Sequence, residues 1–146
     1  MFRFKFFTFL VLIIFLSSCS KDVAKENLIK EKSLELQVIE AYQEGVEALE
    51  DGDVLFAAKK FNEAEILFPQ GEWAPKSALM AAYSYYTQDY YGDAVAELER
   101  FISVYPLHKN LQYAYYLLAI CYYEQIVDEK KDLQSIVNAK KNFQLI

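Results

Sequence analysis

Apolar residues recur at three- and four-residue steps along most of the chain, beginning at Leu34. The first stretch places one apolar face along a helix, formed by Leu36, Ile39, Tyr42, Val46 and Leu49. Turn-forming residues interrupt the pattern at Gly52-Asp53, at Pro69, from Gln88-Asp89, with Gly92-Asp93 leading into the next helix, and at Pro106. This periodicity and these interruptions predict short helices joined by tight turns.

The same order of small, large and small or apolar residues occurs three times. The sets are Ala57, Phe61 and Ala64 before Pro69; Ala94, Leu98 and Phe101 before Pro106; and Ala139, Phe143 and Ile146. Helix pairs that recur about every 34 residues are typical of tetratricopeptide repeats. We therefore predict an all-α tetratricopeptide-repeat solenoid of antiparallel helix pairs over residues 34–146. The third unit has no stop signal or polar capping helix, so we expect it to be truncated.

Several residues mark the predicted helix ends. Asp53 and Asn110 are of the types that cap helix N-termini with their side chains. Pro75 suits a helix start, where its missing N–H is no loss. Small residues at Ala41, Gly45 and Ala48 are expected to let the first helix approach the second closely, with Phe61 filling the space between repeats. A longer, charged turn is predicted at residues 128–132.

The amino terminus has the pattern of an export signal. Arg3 and Lys5 precede an apolar run over residues 6–16, which is too short to span a bilayer. Leu16-Ser17-Ser18-Cys19 resembles the bacterial lipoprotein cleavage box. The prediction is a lipoprotein signal peptide at residues 1–18, lipidation of Cys19 and a polar tether at residues 19–33. Ser20, rather than aspartate, favours the outer membrane; an ordinary signal peptide with an incidental cysteine is the alternative.

The leading helices of the repeats are predicted to form a concave, tyrosine-lined groove. Its positions are Tyr42, Val46 and Leu49; Leu79, Tyr83 and Tyr86; and Tyr113, Tyr116, Ile120 and Tyr123. Tyrosine combines a large apolar face with a polar tip and is typical of binding surfaces. The groove therefore suits an extended peptide with aromatic or apolar side chains. The alternative is that these rings only pack against neighbouring helices.

Charge and composition argue against other functions. The net charge is -6, and it becomes -8 once residues 1–18, with two cations, are removed. An acidic chain is a poor partner for nucleic acid. The single histidine, His108, has no companions for a metal site, and Cys121 is interpreted as a small core residue. No arrangement typical of a catalytic site, a metal site or a cofactor site is present, so we predict a binding protein and not an enzyme.

Two blocks resemble the BamD (ComL) family. The first contains Arg100, Phe101, Ile102, Tyr105, Pro106, His108, Asn110, Tyr113 and Tyr116. The second is an inter-repeat loop, Pro69-Gln70-Gly71-Glu72-Trp73, with tryptophan where the family more often has tyrosine. Members of this family are lipid-anchored components of the machinery that assembles β-barrels in the bacterial outer membrane.

The resemblance implies a scaffold on the periplasmic face of the outer membrane. It implies contact with the barrel subunit BamA, with other assembly lipoproteins, and with the aromatic-ended C-terminal signal of unfolded outer-membrane proteins. This chain is shorter than the roughly five repeats of the family, so residues that dock BamA cannot be assigned. The alternative function is that of another envelope repeat lipoprotein, such as one coordinating cell-wall synthesis with division.

Overall fold

The computed structural model describes residues 33–127 and 133–146. Within these ranges the chain forms helices and no strand: α1 (Leu34–Glu50), α2 (Val54–Leu67), α3 (Trp73–Tyr86), α4 (Tyr91–Val104), α5 (Leu111–Glu124) and α6 (Leu133–Phe143). The predicted all-α fold is confirmed. The signal peptide at residues 1–18, Cys19, the tether up to residue 32 and the charged turn at residues 128–132 lie outside the described residues. In the described part, no helix has both the length and the apolar character needed to cross a bilayer.

The helices are stacked in the order of the chain. Each packs against the helix before it and the helix after it, and α1 also contacts α3. Short turns at residues 51–53 and 87–90 join α1 to α2 and α3 to α4, and the joined helices pack against each other along their length, as in antiparallel helix pairs. The result is the helical solenoid of tetratricopeptide type that the repeat spacing predicts.

The predicted helix starts lie at the expected positions, but the side-chain capping bond predicted for one of them is not formed. Asp53 Oδ1 accepts the Phe56 N–H at 3.1 Å and caps α2 as predicted. Pro75 is the third residue of α3. Asn110 directly precedes α5, but its side chain makes no capping bond. Its φ of -93° and ψ of 16° lie outside the β region from which a capping side chain reaches back, and its N–H donates to His108 Nδ1 at 3.2 Å.

Burial confirms the repeat register in the first two pairs. The two sets of small and large residues are all fully buried: Ala57, Phe61 and Ala64 on α2, and Ala94, Leu98 and Phe101 on α4. A Cβ added at Gly45 would lie 2.9 Å from the Phe61 ring, so the missing side chain is what lets α1 approach α2. In the third set, Ala139 is buried, whereas Phe143 and Ile146 are about half exposed.

A polar cluster joins the second helices of neighbouring pairs. The Arg100 guanidinium on α4 donates to both Glu65 oxygens on α2, at 2.8 and 2.7 Å, and the Tyr105 hydroxyl donates to Glu65 Oε1 at 2.7 Å. Burial alone would raise the pKa of Glu65, but the bonds from Arg100 and Tyr105 outweigh it and lower this pKa. The cluster therefore holds an ionised carboxylate between the two repeats and fixes their relative position.

Candidate peptide-binding groove

Helices α1, α3 and α5 together line an open cleft of about 520 Å³. Helix α1 contributes Tyr42, α3 contributes Leu79 and Tyr83, and α5 contributes Tyr113. These four residues are all among the predicted groove positions, although they lie up to 71 residues apart in the chain (113 minus 42). The leading helices of three successive pairs thus bring aromatic and aliphatic side chains to one concave site.

Three further residues line this cleft that the sequence analysis did not include: Lys76, Met80 and Asn110. Lys76 stands three residues before Leu79 and seven before Tyr83, so helical spacing already placed it on the predicted face. Helical spacing therefore indicated that Lys76 lies at the groove. It was not included because the groove was predicted from apolar and aromatic residues alone. Asn110 lines the cleft, and its side chain makes no helix-capping bond.

The tyrosine rings continue beyond the cleft along α3 and α5. The ring centroids of Tyr83 and Tyr86 are 6.2 Å apart, and those of Tyr113 and Tyr116 are 6.4 Å apart. Tyr113 and Tyr116 are 43% and 45% exposed, whereas Tyr83 and Tyr86 pack partly against the core that contains Leu98 and Phe101. Packing thus accounts for part of the stripe, and the exposed ring faces of α5 remain available to a ligand.

Tyr42 is held firmly at one wall of the cleft. Its ring makes edge-to-face contacts with Phe61 at 5.2 Å and with Trp73 at 5.0 Å between centroids. Burial raises the pKa of the Tyr42 hydroxyl, and the nearby positive charge of Lys76 opposes this rise. Because two aromatic neighbours fix the ring, a ligand would meet a preformed surface and lose little affinity to reordering.

Other predicted groove positions lie elsewhere. Val46 and Leu49 pack against the core cluster around Phe61, and Ile120 is partly buried and does not line the cleft. Tyr123 is exposed and lines a separate cleft of about 640 Å³, which is formed mainly by the end of α5 and by α6. The structure therefore brings together Tyr42, Tyr83 and Tyr113, with Tyr86 and Tyr116 beside them, and does not bring Val46 or Tyr123 into the same cleft.

The groove phenols are neutral hydrogen-bonding groups. Burial raises the pKa of Tyr86 and of Tyr113 above the usual value of 10.0, with smaller contributions from nearby titratable groups. At neutral pH these hydroxyls keep their protons and can donate to peptide carbonyls, while their rings contact apolar side chains. Such a surface suits binding rather than nucleophilic chemistry.

The described residues contain no cluster of three or more His, Cys, Asp or Glu side chains able to hold a metal ion. Cys121 is fully buried in the α3–α5 core, and burial raises the pKa of its thiol to about 12. A thiol that stays protonated is a poor nucleophile. This agrees with the interpretation of Cys121 as a core residue.

The fold and the cleft define a helical repeat protein with an aromatic concave surface. Residues 35–146 match the family model described as "YfiO: Outer membrane lipoprotein". Similar proteins are each named "Outer membrane protein assembly factor BamD". That of Caulobacter vibrioides is 38% identical over 117 residues, covering 80% of this chain and 37% of the relative. That of Rickettsia prowazekii is 34% identical over 103 residues, covering 70% of this chain and 41% of the relative.

The chain therefore belongs to the YfiO/BamD family of outer-membrane lipoproteins. It spans less than half the length of these curated relatives. The matched region includes all six described helices apart from the first residue of α1, and hence the whole tyrosine-lined cleft.

Proposed function

We propose that this chain is a binding scaffold in the assembly of outer-membrane β-barrel proteins. Two relatives with 34–38% identity are named as outer-membrane protein assembly factors, which supports assembly over the alternative of a cell-wall or division scaffold. A non-enzymatic role agrees with their names and with the protonated, buried state of Cys121. The proposed partners are a BamA-like barrel subunit and other assembly lipoproteins.

The proposed ligand of the cleft is an extended segment of an unfolded outer-membrane protein. The observation that carries this proposal is the convergence of Tyr42, Tyr83 and Tyr113 from three helices on one open cleft. Its volume of about 520 Å³ could take a few side chains of a peptide but not a folded domain. Aromatic side chains of the segment would stack on the tyrosine rings, and its backbone would accept bonds from the phenols.

We also propose that a lipid attached to Cys19 anchors the protein to the membrane. A lipid on this residue would hold the repeats at the periplasmic face of the outer membrane, and stable anchoring takes more than one acyl chain. Replacing Cys19 by serine should release the processed protein from the membrane fraction. Retention of the Cys19→Ser protein after signal cleavage would contradict the lipid anchor.

The binding role is tested with two tyrosine variants of matched exposure. A fluorescent peptide of about ten residues with alternating aromatic side chains is titrated with the purified chain, and its anisotropy is recorded. Tyr113→Ala should weaken binding about 5- to 30-fold, because tyrosine is among the residues whose truncation near the centre of an interface costs more than about 1 kcal/mol. The control is Tyr90→Ala, which removes a tyrosine of equal exposure, 43%, from the turn before α4.

Helicity is followed in the same samples. If Tyr113→Ala lowers helicity and affinity in parallel, or if Tyr90→Ala weakens binding equally, the rings serve packing and the groove is not the binding site. A triple change of Tyr83, Tyr86 and Tyr116 to alanine extends the test along the stripe. Purification from detergent-solubilised membranes tests the partners: a BamA-like subunit as the main companion supports barrel assembly.

A further inference from the structure

The helical stack has two edges at which successive helices are joined, and the chain enters the stack at one of them. Because the helices alternate in direction, this edge contains the starts of α1, α3 and α5 and the ends of α2 and α4; we call it the tether edge. Trp73 at the start of α3 packs there against the cluster of Val38 on α1 and Ala64 on α2. The Tyr105 hydroxyl, directly after α4, donates to Glu65 near the end of α2 at 2.7 Å. These contacts hold the helix ends of the tether edge side by side.

The tether edge exposes large apolar side chains from both repeats. They are Leu34, Leu36, Ile66, Phe68, Val104 and Leu107. Leu107 and Ile66 are the most exposed of these, at 97% and 75%. A single exposed aliphatic residue needs no explanation, but several on one side of a molecule indicate contact with another protein or with a membrane.

Charge distinguishes the tether edge from the opposite edge. Within residues 33–36, 66–76 and 104–111, the charges of Glu35 and Glu72 balance those of Lys76 and Lys109. His108 adds no charge at neutral pH, because burial and the two nearby lysines lower its pKa. The tether edge is therefore apolar and close to neutral.

The opposite edge, formed by the ends of α1, α3 and α5 and the starts of α2 and α4, is acidic. Residues 50–53, 87–93 and 124–127 contain no lysine or arginine, and their acidic residues are Glu50, Asp51, Asp53, Asp89, Asp93 and Glu124. Leu55 and Phe56 are exposed near this edge as well, but both lie within three residues of Asp53. An anionic surface would repel this edge and would not repel the tether edge.

The position of the proposed lipid also favours the tether edge. The Ser33 side chain accepts the Leu36 N–H at 3.3 Å and marks the start of α1. Cys19 precedes Ser33 by 14 residues (33 minus 19), which span at most roughly 50 Å when fully extended. The opposite edge lies about 25 Å farther along the 17 residues of α1. A lipid on Cys19 would thus present the tether edge to the bilayer at a high effective concentration, so that even a weak contact is populated.

We propose that the tether edge docks on the phospholipid bilayer, with Leu107 and Ile66 inserted at the boundary between headgroups and acyl chains. Aliphatic side chains stabilise this contact by leaving water, and the neutral charge of the edge lets it approach anionic headgroups. The acidic edge points away from the membrane, and the helices run away from the bilayer surface. This inference rests on the proposed lipid anchor at Cys19.

The test uses the lipidated chain reconstituted in vesicles of phosphatidylethanolamine and phosphatidylglycerol. Leu107→Cys introduces a thiol that is labelled with an environment-sensitive fluorophore, since the Cys121 thiol is buried and the Cys19 thiol carries the lipid. The label at position 107 should emit at shorter wavelength and be quenched by lipids brominated on their acyl chains. The matched control is Leu55→Cys, which places the label on an exposed leucine near the opposite edge. That label should keep the emission of a fluorophore in water.

A second substitution links the signal to the apolar side chains. Ile66→Asp, at a position that is 75% exposed, should lower the docked population of the labelled Leu107→Cys protein about 10-fold, because one inserted aliphatic side chain is lost. Leu55→Asp adds the same charge near the opposite edge and should leave the label at position 107 unchanged. Circular dichroism checks that both variants keep their helicity.

The outcomes separate this inference from the anchor on which it rests. A lipidated protein whose label at position 107 stays in water, or is quenched no more than the label at position 55, would overturn the docking while the anchor stands. Quenching that survives Ile66→Asp would contradict insertion of the apolar side chains. A shift that requires an added BamA-like partner would make the tether edge a protein interface, and membrane docking would be wrong. A processed protein without lipid would overturn the anchor and this inference together.

Discussion

Phe61→Ala is expected to lower the free energy of unfolding by about 3–5 kcal/mol. The ring is fully buried, and it lies so close to α1 that a Cβ on Gly45 would be 2.9 Å from it. It also makes an edge-to-face contact with Tyr42 at a centroid distance of 5.2 Å and packs in one cluster with Ala81 of α3. Since three helices meet at this ring, they cannot collapse into the cavity without giving up other contacts. The loss is a large part of the roughly 5–15 kcal/mol that stabilises a typical domain.

Urea denaturation followed by far-ultraviolet circular dichroism measures this change. The control is Phe56→Ala, which removes the same atoms from α2 at a position that is 42% exposed. It should lower the free energy of unfolding by less than about 1 kcal/mol, as surface substitutions usually do. Losses of similar size in the two variants would refute the repeat register on which the groove depends.

Three further predictions concern packing, pH and thiol reactivity. Gly45→Ala should destabilise the protein by about 1–3 kcal/mol in the same assay, because its new methyl meets the Phe61 ring. Glu65→Gln should cost about 1–2 kcal/mol at pH 7, discounted because the Arg100 side chain is 39% exposed. In the unmodified protein this contribution is complete above the ordinary carboxyl pKa of 4.5 and disappears as pH falls through the lowered pKa, so urea midpoints of the two proteins should converge in acid. In a Cys19→Ser background, Cys121 should react with a thiol reagent at neutral pH only when the protein unfolds; rapid labelling of the native protein would contradict its burial.

The repeat architecture could be predicted because it depends on spacing. The offsets shared by Ala57, Phe61 and Ala64 and by Ala94, Leu98 and Phe101 specify one packing geometry twice, and all six residues are buried. The same register placed Tyr42, Tyr83 and Tyr113 in one cleft. Helical spacing gives the face of a helix on which a residue lies, and a regular stack then aligns such faces.

Helical spacing does not show whether a residue on a given face lines the cleft or packs in the core. Val46 shares a face with Tyr42 and packs against the same Phe61 cluster, yet Tyr42 lines the cleft and Val46 does not. Tyr123 lies near the C-terminal end of α5, where α6 forms a different cleft. Lys76 was on the correct face and differs from its neighbours only in carrying a charge.

Side-chain pairs between repeats could not be predicted from periodicity either. Glu65 and Arg100 are 35 residues apart, and nothing in either helix taken alone shows that their side chains meet. The two residues are not equivalent positions of the repeat, since the equivalent residues Ala57 and Ala94 are 37 residues apart. Asn110 shows the converse: residue type predicted a capping bond, whereas the local backbone angles prevent it.

The central claim, that unfolded outer-membrane protein segments bind in the cleft between α1, α3 and α5, is tested most directly by site-specific photocrosslinking in cells. A photoreactive phenylalanine analogue replaces Met80, which lines the cleft, or Tyr90, which is exposed in the turn before α4. The account predicts adducts with newly exported outer-membrane proteins from position 80 and few from position 90. Equal adducts from both positions, or adducts from position 90 alone, would contradict it.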